Sequence, residues 1–309
     1  MASRKIVFIV NPSAATGMFR SKWLRIQELA KQRFTAFEPS WTAGPGHAIF
    51  LTRHALQQGA EVVVCVGGDG TLNEVVNGFM GPDGPIRPRA ILGFIPLGTG
   101  CDLIKTISLP TAPEKAMDII EDAHTRLMDL GRIIYSDYHG KPSLRYFHNV
   151  TSFGLGGEVD DRVNRTTKIF GGFVSFLWAT LISILIYHKK RIHLTVDGGF
   201  IQPVMCWNVI VANGQYHGGG MWVAPQARVD DGIFHLTVLG DFTLAEVFWN
   251  LPKLYNGTLF QLAKVKTLVC KKIEASSAQR VLLDVDGEQV GRLPAAIDIV
   301  PGILPFIRP

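Results

Sequence analysis

The sequence predicts two domains, an α/β domain built on a doubly wound parallel sheet and then an antiparallel β-sandwich. Three observations carry this. Strand-like and helix-like segments alternate up to about Leu130, the order of a parallel sheet covered by helices on both faces. Strand candidates then crowd together with Asp-Gly turns between them, as antiparallel structure requires. And Gly67-Gly68-Asp69-Gly70 directly follows the β-branched run 62–66 and leads into a helical pattern.

In the first domain, assigned to residues 1–130, the apolar run 6–10 predicts a buried strand. Residues 19–34 place Trp23, Ile26, Leu29 and Ala30 at helical spacing. A helix over 47–58 is stopped by Gly59, and one over 71–77 by Gly78. Strands are predicted over 62–66 and 90–95, and a helix over 113–122. The second domain, residues 131–309, predicts strands over 132–136, 144–152, 191–196, 204–212, 234–239, 265–273, 281–285 and 296–300. Asp197-Gly198-Gly199 and Asp286-Gly287 are its hairpin turns, with helices over 172–187 and 244–256. The last residues are candidates to pack back on the first domain. No repeat or low-complexity segment interrupts the chain.

With 309 residues, 47% hydrophobic and 18% charged, a sizeable core can form. The net charge of +5 suits an anionic membrane surface, a nucleotide or a nucleic acid without choosing among them. Cys65, Cys101, Cys206 and Cys270 are widely spaced and form no CxxC motif, so free thiols in a reducing compartment are expected. The apolar N-terminal run is too short for a signal peptide. No charge occurs from Ile169 to Tyr187, but Gly171-Gly172, Thr180 and Ser183 interrupt this stretch. It is expected to be a buried helix, or one lining a lipid-binding cleft or touching the bilayer, rather than a membrane span.

A strand, a glycine turn and a helix start aim bare N–H groups at one spot, which favours phosphate. Asp69 adds a carboxylate there, which suits a phosphate carrying Mg²⁺. Asn11-Pro12-Ser13-Ala14-Ala15-Thr16-Gly17 follows the first strand and Pro96-Leu97-Gly98-Thr99-Gly100-Cys101-Asp102 follows the strand over 90–95, so all three loops fall on one sheet edge. By themselves these residues define a phosphate-binding, kinase-like α/β protein. Asp286-Gly287 and Asp230-Asp231-Gly232 alone are turn signals. Gly154-Leu155-Gly156-Gly157 reads as tight packing, and His47, His148 and His217 lack metal-ligand spacing. Lys189-Lys190-Arg191 is a solvated helix end or a contact for anionic headgroups.

Together these stretches resemble the diacylglycerol kinase catalytic-domain family, which includes soluble bacterial lipid kinases and sphingosine kinases. The resemblance covers nearly the whole chain. Residues 11–17 resemble its NPxSGxG-type loop, Thr42 with Gly46-His47-Ala48 its Thr…Gly-His-Ala segment, and residues 67–78 its GGDGTxNEVxNG signature. Residues 96–102 resemble its PLGTxND loop. The run 213–220, with Ala224-Pro225 and Asp230-Asp231-Gly232, resembles a second-domain signature, and Asp286-Gly287-Glu288 its terminal acidic motif. Cys101 stands where the family has Asn, and Ala14-Ala15-Thr16 replaces a Ser-Gly pattern.

The resemblance implies an ATP-dependent, Mg²⁺-dependent lipid kinase that visits the membrane from the cytoplasm and contacts no nucleic acid. It implies nucleotide contacts at Asn11, Pro12, Ser13, Thr42, Gly67, Gly68, Asp69, Gly70, Thr71, Asn73, Glu74, Gly98, Thr99 and Asp102. Catalysis is implied at Glu288 as general base, with Asp286 beside it and Asp69 near the metal. A second, structural Mg²⁺ would be held by the Asp231 carboxylate and the carbonyls of Arg228 and Ile233. An exposed edge strand in the second domain offers a pairing edge for a homodimer. The alternatives are an NAD kinase-like enzyme, which shares GGDGT, and a non-catalytic nucleotide- or lipid-binding regulator.

Overall fold

The computed structural model describes residues 4–14, 17, 19–98, 100–165 and 180–309. The expectations for Ala15, Thr16 and Thr99, and for most of the apolar stretch 169–187, lie outside the described residues. The chain divides into two compact units, one reaching Asp129 and including Pro301–Pro309, the other Leu130–Val300.

In the first unit β1 (Ile6–Val10), β2 (Phe37–Trp41), β3 (Val62–Gly67) and β4 (Ile91–Pro96) pair in parallel in the order β2-β1-β3-β4. Five helices accompany them: α1 (Phe19–Arg33), α2 (His47–Gln57), α3 (Asp69–Phe79), α4 (Asp102–Ile107) and α5 (Pro113–Asp122). Ile6, Phe8 and Val10 of β1 and Val62, Val64 and Val66 of β3 pack with Trp23, Ile26 and Leu29 of α1 and Met117 and Ile120 of α5. The alternate residues Val7, Ile9, Val63 and Cys65 are equally buried, and α2 and α3 contact these strands. Burial on both faces is why β1 and β3 read as unbroken apolar runs. β2 went unpredicted: Phe-Glu-Pro-Ser-Trp is a half-exposed edge strand with a proline. Pro301–Pro309 returns to this unit, where Phe306 pairs with Leu92, and Gly302 N–H donates to Asp129 Oδ1 at 2.7 Å.

The second unit is antiparallel. Its strands are β5 (Thr125–Ser136, which starts in the first unit), β6 (Pro142–Phe147), β7 (Val150–Gly154), β8 (Lys190–Val196), β9 (Gly199–Cys206) and β10 (Asn208–Ala212). β11 (Phe234–Leu239), β12 (Val265–Cys270), β13 (Lys272–Ser276), β14 (Leu282–Val285) and β15 (Glu288–Ile307) follow. The main path is β12-β11-β10-β7-β14-β15, with β13 joining β15 to the β8–β9 hairpin. Its helices are α6 (Leu155–Arg165), α7 (Leu244–Asn250) and α8 (Lys253–Asn256). Phe147, Phe153, Phe234, Leu283 and Ile297 centre its core, with Phe147 stacked on Phe234 at 5.5 Å.

Several predicted elements are divided. The run 144–152 breaks into β6 and β7 because the N–H groups of His148, Asn149 and Val150 turn to the Asp286 carboxylate. The run 204–212 divides at Trp207 into β9 and β10, and 265–273 divides at Lys271 into β12 and β13. The helix over 244–256 breaks before Pro252, which has no N–H to continue it. Residues 154–157 are tight packing and the start of α6: a Cβ on Gly157 would lie 2.6 Å from the Leu282 backbone. Among the described residues no helix is long and apolar enough to cross a membrane.

Candidate active site

Strand register builds the first-unit corner. Val10 lies opposite Val66, and Gly67 opposite Pro96, so the loops after β1, β3 and β4 leave the sheet together. Backbone bonds hold them side by side: Thr42 N–H donates to Val10 O at 2.9 Å, Asn11 N–H to Val66 O at 3.0 Å and Leu97 N–H to Gly67 O at 2.7 Å. Gly68 and Gly98 come so close that a Cβ on Gly98 would sit 2.7 Å from Gly68 Cα. Only bare backbone fits there. Gly68 also caps α3 with no side-chain hydrogen bond, and the N–H groups at such a helix start point outward, where an anion is favoured.

The predicted nucleotide residues separate into two groups. Gly68, Asp69, Gly70 and Gly98 lie at the corner and are partly exposed, Thr42 is partly exposed at the end of β2, and Pro12 and Ser13 are exposed in the first loop. Gly67 is buried at the end of β3. Asn11 and Thr71 brace one another, with Asn11 Nδ2 donating to Thr71 Oγ1 at 2.8 Å and Asn11 Oδ1 accepting from Ser13 N–H at 2.9 Å. Asn73 and Glu74, also expected at the nucleotide, are buried within the unit. Asn73 is fully buried and accepts from Asn77 Nδ2. Glu74 accepts from Gly46 N–H at 2.7 Å and Ala48 N–H at 3.0 Å. Its carboxylate therefore stabilises the start of α2.

Asp69 Oδ2 accepts from Asp102 N–H at 3.2 Å, and Lys105 Nζ pairs with Asp102 Oδ1 at 2.7 Å. Cys101, between these groups, is buried in the left-handed conformation at φ 47°, where Asn is the usual non-glycine choice. Burial and then the Asp69 charge push its thiol up to about 12, so it stays neutral.

In the second unit the turn Asp286-Gly287 has φ of 49° and 84°, the left-handed pair of a tight hairpin. It places three carboxylates in different surroundings. Asp286 accepts from the N–H groups of His148, Asn149 and Val150 at 2.9, 3.0 and 2.9 Å, and His148 Nδ1 lies 2.8 Å away. Its side chain is 1% exposed. The structure therefore places Asp286, expected beside the general base, as an anchor of the turn with a buried carboxylate. Asp284 accepts from Ser152 Oγ at 3.1 Å and Gly287 N–H at 2.8 Å, and His217 Nε2 lies 2.9 Å from it. Glu288 alone keeps an accessible carboxylate, paired with Arg145 at 2.6 Å.

Beside this hairpin lies a cavity of about 130 Å³. Leu155, Val159, Ile184, Trp207, Leu239 and Phe242 supply much of its wall, while Asp160, Asn208 and His217 supply polar groups. Asp160 is buried beside Asp284. Burial and then the neighbouring Asp284 push its carboxyl well above the usual range. Sequence inspection missed Asp160 and Asp284; the Asp-Asp pair at 160–161 and the Asp two residues before Asp286 were the only signals available.

The second-unit metal expectation falls on a loop in which Asp231 Oδ1 accepts from Ile233 N–H at 3.2 Å and Arg228 pairs with Asp230 at 3.3 Å. Among the described residues no three His, Cys, Asp or Glu side chains gather as a metal cage. Mg²⁺ in phosphoryl transfer needs less, one or two carboxylates with the phosphates themselves, and the oxygen donors Asp69 and Asp102 fit that demand.

Backbone amides at a helix start with carboxylates at hand are equipment for phosphoryl groups, which puts the first unit in the nucleotide-kinase class. Residues 5–133 match the diacylglycerol kinase catalytic domain, and residues 149–308 match the YegS C-terminal NAD kinase beta sandwich-like domain. The chain belongs to the diacylglycerol kinase catalytic-domain family and is a phosphotransferase. It is 31% identical over 290 residues to a diacylglycerol kinase of Staphylococcus carnosus, covering 93% of this chain and 89% of the relative. It is 29% identical over 268 residues to a diacylglycerol kinase of Mycobacterium tuberculosis, covering 86% and 83%. A crystal structure of a diacylglycerol kinase from Bacillus anthracis superposes with TM-score 0.74 at 20% identity, covering 99% of this chain and 97% of that one. An NAD kinase from Archaeoglobus fulgidus, in complex with ATP, superposes with TM-score 0.51 at 16% identity, covering 98% and 93%. Both likenesses concern the fold.

Proposed function

We propose that this protein transfers the γ-phosphate of ATP to a hydroxyl of a lipid such as diacylglycerol or a sphingoid base, with Glu288 as general base. The observation that carries the lipid acceptor is the second-unit cavity, walled by apolar side chains and provided with a few polar groups. Such a site buries acyl chain and orients a polar head. The main-chain cradle at Gly68 and Gly98 supports the donor side, binding phosphate oxygens through N–H groups. Thr42, in the loop after β2, offers a hydroxyl to the same ligand. Asp69 and Asp102 would hold Mg²⁺, which neutralises charge on the phosphates. Glu288, the accessible carboxylate of its hairpin, takes the hydroxyl proton as the new O–P bond forms, and Arg145 keeps it oriented. Asp286 keeps the hairpin in place.

The test is incubation of purified protein with labelled ATP, Mg²⁺ and a lipid panel in detergent micelles, with NAD as a soluble acceptor in a parallel tube. Labelled lipid is expected; label on no lipid overturns the proposal, and label on NAD alone transfers it to the NAD kinase class. Glu288→Gln should retain its thermal transition and lose about 10²–10⁴-fold in kcat/KM. Near-normal turnover in that variant would remove the base assignment.

A further inference from the structure

We propose that α7, α8 and the neighbouring segment 185–191 form a face that docks on an anionic lipid surface, with Trp249 as its anchor. The choice of a lipid surface rests on the lipid-kinase proposal; the residues do not. α7 is firmly built. Thr243 and Glu246 form a capping box, and Lys264 Nζ holds both Glu246 oxygens at 2.8 and 2.7 Å. Yet none of its seven residues is buried. Val247 and Asn250, with Leu251 and Leu254 beyond, line the cavity. Trp249 points away from it and is 83% exposed, and Tyr255 of α8 is 47% exposed. Indole and phenol rings held out on a rigid helix suit the headgroup layer of a bilayer, which accepts both their apolar body and their polar edge.

Lys189 pairs with Asp241, just before α7, so segment 185–191 lies alongside and brings exposed Leu185 and Ile186. Charge then selects the partner. Lys189, Lys190, Arg191 and Lys253 lie in these segments and Lys264 is held against α7, five cations against the two acids Asp241 and Glu246. A second copy pressed symmetrically on this face would set positive against positive. An anionic bilayer is attracted to it. Docking there would also place the cavity walls of α7 and α8 next to the lipid reservoir.

The test is sedimentation of the full chain with phosphatidylcholine vesicles made with and without phosphatidylglycerol, in the absence of ATP. Wild type should sediment with the anionic vesicles and release as salt rises. Trp249→Ala should weaken that affinity about tenfold or more, and Trp249→Phe should recover most of it. Lys253→Glu with Lys190→Glu should weaken it comparably. No sedimentation of wild type, unchanged affinity in Trp249→Ala, or a concentration-dependent dimer that Trp249→Ala abolishes would each overturn the proposal. Turnover of short-chain members of the same lipid panel, dissolved as monomers, separates the two ideas. Vesicle binding that depends on Trp249 without turnover would leave the docking face standing and remove the kinase proposal. Turnover with Trp249-independent vesicle binding would do the reverse.

Discussion

Asp160 shows how much one side chain can reveal about a site. It is buried in the wall of an apolar cavity, and Asp284 stands beside it. Burial first, and Asp284 second, raise its folded-state pKa well above the ordinary 3.8. The folded protein therefore holds a proton that the unfolded chain releases. Stability contributed by this group is complete below about 3.8 and is lost as pH rises through the raised value. Asp160→Asn, which imitates the protonated form, should raise stability at neutral pH by about 1 kcal/mol. It should also flatten the decline of the thermal midpoint between acidic and neutral pH, as a series of thermal melts would read. A wild-type midpoint that climbs over that range would contradict the assigned direction.

At the scale of elements, the hairpin of β14 and β15 depends on Asp286, whose carboxylate replaces ladder partners for three consecutive N–H groups between β6 and β7. Hydrogen bonds to a charged acceptor in a dry interior are strong, and losing them leaves N–H groups unsatisfied. Asp286→Asn should cost about 3 kcal/mol in a urea titration, whereas Glu288→Gln, two residues away, should change stability little. The contrast separates anchor from base on one turn. It also marks where the sequence stopped being legible. The β3–α3 corner could be read because its signals are local, a β-branched run and then glycines. The anchor could not, because its partners stand 136 to 138 residues away. The capping role of Glu74 was hidden in the same manner, since the amides it caps lie 26 and 28 residues upstream. β2 escaped notice because an edge strand with a proline has almost no apolar pattern.

At the scale of the whole molecule, the change from alternating to clustered strands was visible in the chain because each unit writes its own periodicity. If Mg²⁺ sits at Asp231 with the carbonyls of Arg228 and Ile233, it binds only the folded second unit. Chelation with EDTA should then lower the thermal midpoint by about 5 °C, restored by excess Mg²⁺; an unmoved midpoint would remove that site. The first unit owes its cradle to something different, the close approach of Gly68 and Gly98. A mould cast in peptide bonds has nothing to titrate. Its own N–H groups keep their charge at every acidity, so any pH dependence of binding there comes from Asp69, Asp102 and the phosphates themselves. What it recognises is outline and polarity alone, so telling one donor from another falls to whatever meets the ligand beyond its phosphates.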